Sequence, residues 1–308
     1  MFYTLVLLLY ALFASVFTIS KVGLGYTEPL FFIGTRMLLA GSILLGYQKF
    51  VKNQSFSFDW QVWRRVMRLA IFNIYLTNVF EFMGLKYLTS FKTCFIYSLS
   101  PFISALLSYF TFSEKLNGKK ALGLIIGFIG FTPILIAQTT DEKLTGNFLI
   151  FSWAEIAVVL AVVSSVYGWI VLRQLVKENN MSFLDANGLS MTIGGLIAIG
   201  HSYFVENWDP FPVTNGTIYL ECTLALVVIS NLICYNLYGS LLKKYSATLI
   251  SFAGLTTPLF TALFGWIFLG EIVTWPFYLS FLIVVFGLYL FDQEELKQTY
   301  QAQQPVNI

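Results

Sequence analysis

Ten long apolar segments follow one another along the chain, and short polar stretches separate them. A helix that crosses the hydrocarbon core of a bilayer needs about 20 mostly apolar residues, and each segment approaches that length. Glycine and proline inside the segments are tolerated, because neighbouring helices satisfy the backbone groups that they free. The segments are residues 2–20, 29–47, 69–86, 89–112, 121–138, 150–172, 183–204, 218–241, 246–269 and 274–291. The pattern predicts an all-α integral membrane protein with ten transmembrane helices.

Composition agrees with this pattern and excludes a water-facing globule. Hydrophobic residues make up 57% of the 308 residues and charged residues only 11%. A soluble domain has about 25% charged residues, so the lipid bilayer is the expected outer solvent. A net charge of +2 gives no reason to expect a nucleic-acid partner. Three cysteines and one histidine, without the spacing of a ligand set, predict neither disulfides nor a metal site, and no cofactor is expected.

The basic residues predict the orientation in the membrane. Lys and Arg accumulate in the cytoplasmic loops of membrane proteins. If the N-terminus is inside, thirteen of the 18 basic residues fall in cytoplasmic segments and three in outer segments. Both termini are therefore predicted to be cytoplasmic, in a multi-pass protein of the plasma (bacterial inner) membrane.

An internal repeat divides the chain into two units of five spans. A gap-free shift of 157 residues aligns the fourth and fifth spans with the ninth and tenth. The aligned pairs include Lys86 with Lys243, Pro101 with Pro258, Glu114 with Glu271 and Gly130 with Gly287. An odd number of spans inverts the second unit relative to the first, and inverted repeats are typical of secondary transporters. The predicted units are residues 1–140 and 148–292, around a central cavity, followed by a cytoplasmic tail at 293–308.

The sequence resembles the EamA family of the drug/metabolite transporter superfamily over nearly the whole chain. The resemblance rests on a proline in the fourth span, an acidic residue after it and a glycine-containing fifth span. These residues are Pro101, Glu114, Gly123, Gly127 and Gly130, and in the second unit Pro258, Glu271 and Gly287. Arg36 matches an arginine common in the second span of the family, whereas Ser190 stands near the equivalent place in the second unit. The resemblance implies ten helices, cytoplasmic termini, a central cavity and carrier activity, but no particular substrate.

Three charged residues lie inside or near the ends of predicted spans, in the outer half of the bilayer. They are Arg36, Glu81 and Lys92. A charge at this depth is costly and needs a partner or a watery cavity. One interpretation is an electrostatic cluster that binds a zwitterionic or anionic substrate, or a proton on Glu81. The alternative is a structural ion pair between Glu81 and Lys92, with the Arg36 side chain extending towards the interface.

A polar stripe runs along the third span. Asn73, Thr77 and Glu81 recur at the spacing of one helix face, and Asn78 lies beside them. Because lipid disfavours such a stripe, it is predicted to face the protein interior. It either lines a cavity or forms hydrogen bonds between helices.

Other spans carry candidates for the remaining cavity wall. In the eighth span, Asn231, Tyr235 and Tyr238 follow helical spacing and are predicted to oppose the third span. Aromatic rings within spans either stack on a flat or cationic substrate group or simply pack. The candidate substrate-binding residues are Arg36, Tyr75, Asn78, Glu81, Lys92, Tyr97, Trp169, Asn231 and Tyr235.

Several further residues have expected structural roles. Glu114 and Glu271 are expected to form hydrogen bonds at helix ends, and Glu155 is expected to be solvated near an outer surface. Small residues form two stripes that permit close helix packing within the chain, or a homodimer. The stripes are Gly123 with Gly127, and Ser190 with Gly194 and Ala198.

Together these patterns predict a secondary transporter that moves a small polar metabolite by alternating access. The predicted substrate is an amino acid or an amino-acid-like or nucleoside-like metabolite. S-adenosylmethionine fits too, because it combines an aminoacyl end, a cation and a flat base, and the aromatic residues do not select between these substrates. The alternatives are an exporter of another substrate class, an intramembrane enzyme or a non-transporting scaffold. No span has a nucleophile with a base, paired carboxylates or a metal motif, so an enzyme is not expected. The expected partners are a small-molecule substrate and the lipid bilayer.

Overall fold

A computed structural model of the chain describes residues 2–52, 59–112, 118–137, 139–148, 151–244, 254 and 256–303. The helices are α1 (Phe2–Leu24), α2 (Pro29–Phe50), α3 (Trp60–Leu69), α4 (Thr77–Leu85), α5 (Ser90–Tyr97), α6 (Ser100–Phe112), α7 (Gly118–Gly130), α8 (Thr132–Ile136), α9 (Thr140–Lys143), α10 (Trp153–Lys177), α11 (Phe183–Val205), α12 (Gly216–Leu226), α13 (Tyr235–Lys244), α14 (Thr257–Leu269) and α15 (Trp275–Gln303). Two π-helical segments, π1 (Ala70–Leu76) and π2 (Val227–Cys234), join α3 to α4 and α12 to α13. A short antiparallel pair of strands, β1 (Asn147–Phe148) and β2 (Phe151–Ser152), precedes α10.

The prediction of an all-α membrane protein is confirmed. Among the residues that the structure describes, six helical stretches are long and apolar enough to cross a bilayer, and three shorter helices are similarly apolar. The long stretches are Leu5–Leu24, Pro29–Phe50, Trp60–Leu85, Trp153–Lys177, Phe183–Val205 and Gly216–Tyr238. The shorter ones are Ala121–Ile136, Thr257–Leu269 and Trp275–Phe291.

The predicted fourth span, residues 89–112, is divided into α5 and α6. Pro101 lacks the N–H that would donate to the Tyr97 carbonyl in a continuous α-helix. The Ser100 hydroxyl donates to that carbonyl instead, at 2.6 Å. The helix therefore breaks after Tyr97, and the break places the Tyr97 ring at the end of α5.

Two pairs of helices approach each other at backbone distance because glycines occupy their crossing points. A Cβ atom built on Gly195 of α11 would lie 3.0 Å from the Gly34 carbonyl oxygen of α2. Likewise, a Cβ atom on Gly287 of α15 would lie 2.6 Å from the backbone nitrogen of Gly127 in α7. These crossings fix α2 against α11 and α7 against α15.

Large apolar side chains fill the spaces between the helices. One cluster, with Phe95, Phe102 and Val158 among its fully buried members, joins α5, α6, α10 and α15. A second cluster, including Phe32 and Met191, surrounds the crossing of α2 and α11. The candidate site lies beside this second cluster, at the junction of helices from both sequence halves.

The α2–α11 crossing yields a stability prediction. A Cβ atom on Gly41 would lie 2.4 Å from the Thr192 Oγ1 atom and 2.7 Å from the Thr192 backbone nitrogen. Gly41→Ala should destabilise the protein by about 1–3 kcal/mol, the range found for overpacked interiors. Gly46→Ala on the same helix is the matched control, because a Cβ atom there meets nothing within 4 Å. Thermal unfolding of both variants in detergent measures the difference; equal melting temperatures would contradict the assigned crossing.

Candidate functional site

Arg36 is the most deeply buried cation of the candidate site. Its residue is 2% exposed, and it extends from α2 towards α4. Its Nη2 atom donates a hydrogen bond of 2.5 Å to the Asn78 Oδ1 atom, and its guanidinium carbon lies 5.2 Å from the centroid of the Phe82 ring. Asn78 is oriented in turn, because its Nδ2 atom donates to the Ile74 carbonyl at 2.7 Å. The Arg36 Nε atom has no hydrogen-bond partner among the residues that the structure describes.

Glu81 faces the same space from α4. Its carboxylate accepts a short hydrogen bond from the Tyr97 hydroxyl at the end of α5. Glu81 and Arg36 are both described, and no salt bridge within 4.0 Å joins their side chains. Arg36 instead contacts Asn78 and Phe82, which lie on either side of Glu81 along α4. The site therefore presents opposite charges that are not in contact.

Aromatic rings form the adjoining wall. The Trp169 ring centroid lies 5.4 Å from that of Tyr235 and 5.0 Å from that of Tyr238, so α10 and α13 meet here. Tyr235 packs against the apolar cluster that includes Met37, and the Tyr97 ring packs edge-on against Phe17 of α1 at 5.5 Å. These rings are only partly buried, except that of Phe17. Sequence reasoning missed Phe17, because one phenylalanine in an apolar helix carries no signal that distinguishes it from its neighbours.

Two other candidates lie apart from this group. The Tyr75 hydroxyl is 2.8 Å from the His201 Nδ1 atom, so Tyr75 interacts with α11. Asn231 is fully buried, and its Nδ2 atom lies 3.3 Å from the Met37 sulfur and 3.9 Å from the Met191 sulfur. Asn231 thus lies between Met37 of α2 and Met191 of α11.

Lys92 belongs to a separate charge cluster. Its Nζ atom lies 2.8 Å from a carboxylate oxygen of Glu142 and 2.8 Å from one of Glu155. Glu142 also accepts a hydrogen bond of 3.0 Å from the Ser152 hydroxyl. The alternative of a Glu81–Lys92 ion pair is therefore wrong, and so is the expectation that Glu155 is solvated, since Glu155 is fully buried. Lys92 thus contacts two buried carboxylates at once, which favours a structural role over substrate binding, although the Glu155 Oε1 atom has no hydrogen-bond partner among the described residues.

Comparisons with known proteins agree with this architecture. The model of the EamA-like transporter family matches residues 1–136 and 152–291. The chain belongs to the EamA-like transporter family. Its transporter character, predicted from the sequence in preference to an enzyme, is confirmed by this membership and by the names of its relatives.

Three similar proteins illustrate how closely members of the EamA-like transporter family resemble the chain. A protein of Chlamydia muridarum named S-adenosylmethionine/S-adenosylhomocysteine transporter is 38% identical over 292 residues, which cover 94% of this chain and 91% of the relative. A protein of the same name from Chlamydia trachomatis is 36% identical and covers 94% and 88%. A WAT1-related chloroplastic protein of Arabidopsis thaliana is 26% identical and covers 82% and 60%.

A solved crystal structure shows the same fold. It is 14% identical in sequence, covers 98% of this chain and 97% of its own, and superposes with a TM-score of 0.64. At this identity the likeness concerns the fold alone.

The polar stripe of this EamA-like chain is divided by the π1 segment. A π-helical turn holds more residues than an α-helical turn and rotates the side chains that follow it. Asn73 packs against the backbone of α10, and the Thr77 hydroxyl lies 3.5 Å from the Ala161 carbonyl oxygen of that helix. Asn78 and Glu81, in contrast, face the site. The stripe therefore serves helix packing at one end and the candidate site at the other.

Of the two glutamates expected at helix ends, Glu114 and Glu271, the structure describes only Glu271. Glu271 accepts hydrogen bonds of 2.7 Å from both the backbone nitrogen and the hydroxyl of Ser90, at the start of α5, which confirms its structural role. Glu114 lies outside the described residues.

Both small-residue stripes are used within the chain. Gly127 packs against α15 and Phe102, and Gly194 packs against Ile74.

The Lys92 cluster should stabilise the fold rather than bind substrate. Lys92→Met leaves two buried carboxylates without their cation, and breaking a buried pair typically costs about 3–5 kcal/mol. Arg65→Met is the matched control, since Arg65 pairs at 2.7 Å with a Glu178 side chain that is 53% exposed, and such pairs contribute about 0–1 kcal/mol. Melting temperatures in detergent compare the two variants.

A triple variant extends the test if Lys92→Met does not accumulate. Adding Glu142→Gln and Glu155→Gln removes the uncompensated charges, so yield and melting temperature should recover in part. A Lys92→Met variant as stable as Arg65→Met would contradict the claim that the contacts of Lys92 with Glu142 and Glu155 stabilise the fold.

Proposed function

We propose that the chain exchanges S-adenosylmethionine and S-adenosylhomocysteine across the plasma membrane, the inner membrane in bacteria, by alternating access. The similarity to the two chlamydial transporters extends over 94% of this chain and over 91% and 88% of those proteins. The proposal gives each half of the candidate site a part of the substrate to recognise.

The observation that carries the proposal is that Arg36 contacts Asn78 and Phe82 on α4, which also carries Glu81, while the Trp169–Tyr235 pair supplies the aromatic surface. Both substrates carry an α-carboxylate and an α-ammonium group on an aminoacyl end. Arginine binds carboxylates through charge-assisted hydrogen bonds, and the Arg36 Nε donor is still free to form one. Glu81 has the charge that suits the ammonium group.

The aromatic wall suits the other end of the same molecules. Adenine is a flat ring that can stack on Trp169 or Tyr238, and the sulfonium of S-adenosylmethionine is a cation that aromatic faces attract. Tyr235 connects the two parts, because its ring contacts Trp169 and also packs against the apolar cluster that includes Met37, the residue after Arg36. A zwitterion joined to a base therefore matches the order of groups along the site.

The alternating-access part of the proposal rests on two inverted units of five helices. A shift of 154 residues relates Gly34 to Gly188 and Gly41 to Gly195. A Cβ atom on Gly195 approaches the Gly34 oxygen at 3.0 Å, and one on Gly41 approaches the Gly188 oxygen at 2.9 Å. Each contact is thus the image of the other, as expected if a pseudo-two-fold axis passes through the α2–α11 crossing.

The π-helical segments support the same symmetry. π1 begins at Ala70 and π2 at Val227, which are related by the shift of 157 residues seen in the sequence. In this proposal residues 1–140 and 148–292 are the two units, the tail is 293–308, and both termini are cytoplasmic, as the bias of basic residues indicates.

Removing either charge of the site should impair transport. Arg36→Ala and Glu81→Gln should each lower the initial rate of S-adenosylmethionine uptake about 10-fold or more, since hydrogen bonds to charged groups contribute about 1.5–3 kcal/mol. Proteoliposomes loaded with S-adenosylhomocysteine and supplied with radiolabelled S-adenosylmethionine provide the measurement.

Arg173→Ala and Glu178→Gln are controls, because both residues are exposed, at or just beyond the end of α10. If both site variants transported at the wild-type rate after normal insertion, Arg36 and Glu81 would be structural only.

The aromatic wall gives a separate expectation. Trp169→Leu should raise the KM for S-adenosylmethionine about 3- to 30-fold, because stacking and cation–π contacts contribute about 0.5–2 kcal/mol. Trp266→Leu is the matched control, since Trp266 is 64% exposed on α14. Concentration-dependent uptake separates KM from the maximal rate, and an unchanged KM would exclude Trp169 from the substrate site.

A further inference from the structure

Helix α3 carries a stripe that the transport site does not use; its residues are exposed except Trp63, which is partly buried against the core of that helix. The stripe, called here the α3 stripe, borders a groove of about 500 Å³ on the outside of the bundle. Its members are Trp60, Trp63, Arg64, Met67 and Arg68. The spacing of three, one, three and one residues keeps them on one side of a helix.

The opposite face of α3 explains why the stripe points outward. Val62, Val66 and Leu69 are buried against α10 and α11, so the helix has a fixed rotation. Trp60 is 71% exposed and Met67 40%, although both are large and apolar. In a membrane protein this outward surface meets lipid.

The charges of the stripe are not neutralised by the protein. Arg65, which lies outside the stripe, forms a salt bridge with Glu178 and donates a 2.5 Å hydrogen bond to the Asn179 side chain. Neither Arg64 nor Arg68 has an acidic side chain within salt-bridge distance in the part of the chain that the structure describes. Two guanidinium groups one helical turn apart therefore form a local positive charge.

The position of α3 along its span sets the depth of these cations. After Arg68 the next charged residue is Glu81, so twelve uncharged residues lead from the stripe into the bilayer. Tryptophan is enriched at the boundary between head groups and acyl chains, and Trp60 and Trp63 lie on the polar side of that apolar stretch. The two arginines are thus placed at the level of lipid phosphates.

We propose that the α3 stripe binds the head group of an anionic phospholipid. Arg64 and Arg68 hold the phosphate through charge-assisted hydrogen bonds, as guanidinium groups do with phosphate oxygens. Trp63 and Met67 contact the glycerol and the upper acyl chain. Basic clusters at a membrane surface attract anionic lipids in this way, whereas a zwitterionic lipid gains less from two cations.

Competitive lipid binding tests the assignment. The purified full chain in detergent is titrated with phosphatidylglycerol in the presence of excess phosphatidylcholine, and bound lipid is counted by native mass spectrometry. The double variant Arg64→Gln/Arg68→Gln should bind phosphatidylglycerol about 30-fold more weakly, because each arginine near an anionic surface contributes roughly a fivefold factor. Arg173→Gln/Lys177→Gln removes two exposed cations near the end of α10 and should leave the affinity unchanged.

Three results would overturn the proposal. Equal phosphatidylglycerol binding by wild type and the Arg64/Arg68 variant would exclude the stripe as the site. An equal loss in the Arg173/Lys177 variant would show general charge attraction. Displacement of the lipid by millimolar inorganic phosphate would show a site for free phosphate rather than a lipid.

Discussion

The cost of burying a cation within the bilayer is the constraint on which the candidate site depends. A guanidinium group at this depth is stable only if polar groups or water surround it. Arg36 is 2% exposed, donates a hydrogen bond to the Asn78 side chain and lies over the aromatic ring of Phe82. Asn78 can serve because the Ile74 carbonyl orients its amide. The contacts of α2 with α4 follow from this need.

The two buried charge systems solve the same problem in different ways. Lys92 is in contact with two carboxylates, so its charge is compensated within the protein and the cluster fixes α5 to α9 and α10. Arg36 and Glu81 form no salt bridge with each other, and the Arg36 Nε atom has no hydrogen-bond partner among the described residues. Direct ion pairing, rather than burial, distinguishes Lys92 from the charges of the candidate site. A zwitterion placed between Arg36 and Glu81 would complete what the protein leaves incomplete.

The sequence predicted the parts of this arrangement that depend on local pattern. The rarity of charge in apolar spans singled out Arg36 and Glu81, helical spacing with Asn231 singled out Tyr235, and aromatic character within a span singled out Trp169. The local pattern of the sequence could not predict contacts with residues from distant segments of the chain. Glu142 lies 50 residues after Lys92 in the short helix α9, and nothing in the sequence of that helix indicates that its glutamate is buried against α5.

Backbone irregularity accounts for other differences from the predicted pattern. The π1 segment rotates Asn73 and Thr77 towards α10, which a uniform α-helical spacing does not anticipate. The asymmetry of the site has a further consequence. In the proposed division, Arg36 and Glu81 belong to the first unit, and the counterpart of Arg36 in the second unit is the uncharged Ser190. The rings of Trp169 and Tyr235 come from the second unit. A substrate with a zwitterionic end and an aromatic end can satisfy both groups only by joining the two units. In the proposed exchange, this makes binding itself the contact that couples one inverted unit to the other.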